Sequence, residues 1–111
     1  MEPYRGCGVE VITFLSQWDK ELHARGFLAG AYWNLMNLGS LTRAARRMTE
    51  PDVINYAHWD GQATTRSRYM PAHMWTNHQR IHQYLGGVIR TWGGVTLDID
   101  LDKLDLRLPH A

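Results

Sequence analysis

Asp52-Val53-Ile54-Asn55-Tyr56-Ala57-His58-Trp59 is the stretch on which the fold turns. Its branched and aromatic side chains alternate, so it reads as a strand with Val53, Asn55, Ala57 and Trp59 on one face and Ile54, Tyr56 and His58 on the other. Downstream, Pro71 suits the first turn of a helix running to about Leu85, with Met70, Met74, Ile81 and Leu85 as its inner stripe and Gly86-Gly87 at its end. Val88–Trp92 then reads as a short strand and Gly93-Gly94 as a turn. Val95, Leu97, Ile99 and Leu101 alternate with Thr96, Asp98, Asp100 and Asp102, which predicts a half-buried strand whose aspartates face solvent. Residues 95–111 form a C-terminal strand and tail.

Upstream, Phe27 to Met36 is an apolar, aromatic run that predicts a well-covered strand. Val11, Leu15, Trp18 and Leu22 recur at helical spacing over about 9–25, and Gly26 supplies the left-handed residue that ends the helix. Residues 41–48 predict an additional short helix stopped before Pro51. Residues 1–8 read as an irregular leader, and a first strand is weak or missing, reduced to something like Tyr4–Val11.

A chain of 111 residues, 44% hydrophobic and 21% charged, suits one domain over 1–111. So small a chain buries a limited core, and leftover apolar surface invites a second copy. A net charge of +1 gives no footprint for nucleic acid. One cysteine, Cys7, allows no internal disulfide, and no apolar run reaches the length of a membrane span, so a cytoplasmic location is expected.

The order helix, strand, strand, helix, strand points to an α+β fold of ferredoxin-like type, with an antiparallel sheet on two main helices. Arg25-Gly26-Phe27-Leu28-Ala29-Gly30-Ala31-Tyr32 and Val53-Ile54-Asn55-Tyr56-Ala57-His58-Trp59-Asp60, taken in this order, resemble the antibiotic biosynthesis monooxygenase family of dimeric α+β barrels. The resemblance implies a cytoplasmic homodimer with an apolar pocket in each subunit. It further implies a cofactor-independent oxygenase that uses O₂ on a small aromatic partner, an anthrone-like polyketide or a quinol, with no metal. By motif, Asn55 and Trp59 face the pocket and assist oxygenation. The same fold also serves haem binding and degradation, polyketide cyclisation and non-catalytic ligand binding, and these stand as alternatives.

Among residues that titrate near neutrality, His73 lies within a helical turn of Met70 and Met74 and is the candidate acid–base group. Tyr32, Trp33, Met70 and Met74 are candidate apolar and aromatic lining for a substrate. Arg66 and Arg80 are candidates for attracting a phenolate or carboxylate. His78 and His82 stand at i, i+4 without a nearby acidic third ligand in sequence, and no metal is expected there.

Overall fold

The structure is a computed structural model that describes residues 8–35 and 38–107. Its elements are α1 (Gly8–Ala24), β1 (Gly30–Asn34), α2 (Leu38–Ala44, tightening into a 3₁₀ turn over Ala45–Arg47), β2 (Val53–Ala57), β3 (Gln79–Trp92) and β4 (Val95–Leu106). The strands form one sheet in the order β1-β2-β3-β4. The first two pairings are parallel and the last is antiparallel, so this is a small α+β fold with a mixed sheet and two helices. No helix among the described residues is long and apolar enough to cross a membrane.

The expected antiparallel, ferredoxin-like sheet is corrected here. A parallel pair needs a crossover of a dozen residues or more, and residues 35–52 provide one through α2. The expected helix to Leu85 is also absent. Trp75 and His78 adopt positive φ of 53° and 56°, which no continuous helix tolerates, and β3 begins at Gln79. Met70 and Met74 still reach the core, but from turns; Ile81 and Leu85 belong to the strand. Of the expected first strand, residues 8–11 are helical, and 1–7 lie outside the described residues, as does most of the expected leader.

Gly26 does end α1 as its sequence suggests. Its φ is +80°, its N–H donates to the His23 carbonyl at 3.0 Å, and the Phe27 N–H reaches back to Leu22 at 2.9 Å, together a Schellman closure. Gly93 and Gly94, with φ of 55° and 79°, make the two-residue turn that joins β3 to β4.

Alternate residues of the parallel strands go into the core. Ala31, Trp33, Ile54 and Tyr56 pack with Leu15 of α1, Leu38 and Leu41 of α2, and Met70, Met74 and Trp75 from the segment before β3. Stacked on Tyr56, with ring centroids 4.6 Å apart, His82 continues the same row. The opposite face carries Tyr32, Asn55, Ile81 and Gln83, all half-buried.

The edge where the parallel strands begin is pinned by polar groups. Asp52 accepts from the Ala29 N–H at 2.7 Å and lies 2.6 Å from His23 Nε2, while the Trp75 indole N–H donates to the Pro51 carbonyl at 2.9 Å. Nearby, Asp19 is fully buried and neither carboxylate oxygen has a hydrogen-bond partner among the described residues. Burial raises its pKa, His23 pulls it back and Asp52 raises it further, leaving it at about 6 against a usual 3.8.

Between those two values the folded chain keeps a proton that the unfolded chain has released. The stability tied to Asp19 is therefore greatest below about pH 4, falls as the pH rises through about 6, and stays low above it. The swing is on the order of 3 kcal/mol. Urea unfolding at stepped pH is expected to show this decline, and Asp19→Asn to flatten it; an unchanged slope in the variant would assign the decline to other groups.

Candidate functional site

An open cleft of about 730 Å³ lies where β1 and β2 end, lined by Tyr32, Asn34, Ala57, His58, Trp59 and Tyr69 among others. Ligands of parallel α/β sheets bind at the carboxyl ends of the strands, where loops rather than ladder bonds set the side chains. Trp59 follows β2 by two residues and is 62% exposed. It is nevertheless held in place, because its indole N–H donates to Gln83 Oε1 at 3.1 Å and its ring lies flush against Gly86. A Cβ at Gly86 would overlap the six-membered part of that ring.

Gln83 is the hub of the open face. Its Oε1 also accepts from the Tyr32 hydroxyl at 3.3 Å, and its Nε2 donates to Asp100 Oδ2 at 2.8 Å. Asp102 is the register partner of Gln83 across the β3–β4 ladder. Burial of its carboxyl and the adjacent Asp100 charge hold Asp102 above the usual carboxylate range, with His82 pulling the other way. The row of aspartates thus has Gln83 and, through it, Trp59 as neighbours rather than solvent alone.

Beyond Trp59 the loop turns back through Asp60. His58 Nδ1 is 3.3 Å from Asp60 Oδ2, and His82 Nε2 is 3.6 Å from Asp60 Oδ1. Tyr69 meets the His58 ring edge-on at 5.8 Å and lies under the Arg68 guanidinium, 4.8 Å from its ring centre.

The residues singled out from sequence are dispersed by the fold. Tyr32 and Trp59 line the cleft, and Asn55 sits on the same sheet face as Tyr32 with its Oδ1 buried and unpartnered. Trp33 and Met74 are core residues, so their expected role as substrate lining is corrected: alternation turns Trp33 toward the helices. Arg80 is buried too, its guanidinium donating to the carbonyls of Thr65, Pro71 and Met74. It clamps the segment before β3 and has no free fork for an anion. Arg66 is exposed beside a separate, smaller depression of about 480 Å³ that Met70 and Arg80 also border, so three of the expected binding residues do meet there. His73 is exposed in the turns before β3 and is not among the cleft's lining residues.

Sequence reasoning passed over Gln83, Gly86, Asp60 and the Asp100–Asp102 pair. A signal for one of them was present: paired glycines inside an alternating pattern mark a close approach as often as an element's end.

An exposed indole held against Gly86 is thus joined through Gln83 to a carboxylate near the carboxyl ends of the parallel strands. Flat aromatic faces take up the C–H face of a sugar ring, and carboxylates take up its hydroxyls. The chain belongs to the Rv2525c-like, glycoside hydrolase-like domain family, whose model matches residues 1–104. No curated protein and no solved structure matches it.

This membership overturns the resemblance to antibiotic biosynthesis monooxygenases, and with it the expected oxygenation of a polyketide or quinol. The Asn55-Tyr56-Ala57 strand that carried the resemblance lies between two parallel neighbours. Short aromatic strands of this kind recur in unrelated sheets, and fold-level likeness does not fix activity.

Proposed function

We propose that the cleft binds a glycan chain over Trp59 and that the neighbouring carboxyl groups cleave its glycosidic bond. The observation that carries this reading is the Trp59 indole, exposed yet fixed by Gly86 and Gln83, with Gln83 reaching Asp100 from the same side chain. Glycoside hydrolysis needs two carboxyl groups in different protonation states, one to protonate the leaving oxygen and one to stabilise or attack the cationic centre. Asp102, its pKa raised by burial and by the Asp100 charge, is suited to the proton-donating role, and Asp100, which accepts from Gln83 Nε2, is placed for the second. Two residues apart on one strand, their Cα atoms are separated by roughly 7 Å, a spacing open to either stereochemical outcome.

The test separates binding from cleavage. Titration with a panel of soluble oligosaccharides, followed by calorimetry, is expected to show saturable binding that Trp59→Ala weakens at least about tenfold, the scale of losing a central aromatic anchor. Asp102→Asn is expected to keep binding and to lower release of reducing ends by roughly 100-fold or more. If no member of the panel binds, or Trp59→Ala binds as wild type, the glycan site is refuted. Binding without cleavage in wild type would refute the catalytic half alone.

A further inference from the structure

We propose that His58, Asp60 and His82 form a binding site for a divalent cation of the zinc class, with one coordination position left open toward the cleft. Ligand atoms of the three side chains all lie within 4.8 Å of one another. The shortest approaches to Asp60 go one to each carboxylate oxygen, 3.3 Å from His58 Nδ1 to Oδ2 and 3.6 Å from His82 Nε2 to Oδ1. Zinc bonds of about 2.0–2.1 Å in a tetrahedron place neighbouring ligand atoms roughly 3.3–3.4 Å apart, so side-chain shifts that bring this set from within 4.8 Å to that spacing complete the site.

An independent observation comes from His82, which is 1% exposed. Both of its ring nitrogens face carbonyl oxygens, Nδ1 that of Thr64 at 2.5 Å and Nε2 that of His58 at 2.8 Å. A neutral imidazole has one N–H to give. With Nδ1 donating to Thr64, the Nε2 lone pair is aimed at a carbonyl oxygen and a carboxylate, an arrangement that calls for positive charge among them. A metal ion supplies that charge from the solvent side, where His58 and Asp60 are partly exposed.

The outer partner is already in place, since a ligating histidine ordinarily donates its other N–H to a carbonyl or carboxylate, and His82 Nδ1 lies 2.5 Å from the Thr64 carbonyl oxygen. Three protein ligands of the His₂-carboxylate type leave a fourth position for water. His58 lines the cleft, so that position opens next to Trp59. The assignment stands on these three side chains and does not depend on what the cleft binds.

The experiment is titration of chelator-treated full-length chain with Co²⁺ and Zn²⁺. One equivalent of Co²⁺ is expected to bind saturably with a visible d–d spectrum, to be displaced by Zn²⁺, and to raise the melting temperature. His58→Ala and Asp60→Asn, both at partly exposed positions, are expected to weaken binding by more than the roughly 10–100-fold that loss of an outer partner costs. His78→Ala, which touches only the separate pair with Asp105, is expected to bind as wild type. Absence of saturable Co²⁺ uptake would overturn the proposal. Undiminished one-equivalent binding in both folded variants would overturn it as well, placing the ion elsewhere.

Discussion

Arg80→Met is expected to lower the free energy of unfolding by roughly 3–5 kcal/mol, the cost of stripping a charged donor from buried acceptors. The side chain is 8% exposed, and its two terminal nitrogens donate to Thr65 at 3.1 Å, Pro71 at 3.1 Å and Met74 at 2.7 Å. These carbonyls belong to the irregular segment between β2 and β3, which has no ladder of its own to satisfy them. Burial lowers the Arg80 pKa, while the charge itself is retained. Arg80→Lys is expected to recover only part of the loss, because one ammonium cannot span three carbonyls that a planar fork reaches. Urea unfolding measures both; a loss below about 1 kcal/mol in the methionine variant would show that water replaces the guanidinium at those carbonyls.

Gly86→Ala is the second large effect, and it is expected in binding rather than in folding. The added methyl overlaps the Trp59 ring, and the ring is exposed on its far side, so the indole swings out and gives up its bond to Gln83. Glycan affinity should fall about as far as in Trp59→Ala, at least tenfold. Stability should change by less than about 1 kcal/mol, since little buried area is lost. The indole N–H resonance of Trp59 reports the bond directly. Affinity held at the wild-type level with that resonance shifted would show that the platform does not touch the ligand.

What could be read from the residues was local. The α1 periodicity and Gly26, the alternation of residues 53–57, and the Gly93-Gly94 turn each specify a structure through neighbours a few positions away. Strand direction is not encoded that way, because a strand covered on both faces has the same alternation whether its partners run parallel or antiparallel. The length of the 35–52 connection was the one available clue, and it fits a crossover better than a hairpin. The 71–85 segment failed for another reason. Met70, Met74, Ile81 and Leu85 match a helical stripe, yet the left-handed Trp75 and His78 that interrupt it have side chains bonded to the Pro51 carbonyl and to Asp105, both distant in sequence.

The site shows the same division. Tyr32 and Trp59 stand out as aromatics, whereas Gln83 and Asp100 gain meaning only when the β3–β4 ladder brings them beside Trp59.

The tight turn at Gly93-Gly94 also sets a folding order. β3 and β4 are joined by two residues and can zip together on the microsecond scale of a hairpin, with almost no loop to close. β1 and β2 must first order the chain between them, and β2 must wait for the segment that Arg80 clamps. The long ribbon is thus available as a template before the parallel strands arrive. Substitutions at Gly93 or Gly94 should slow folding, while those at Arg80 should chiefly speed unfolding.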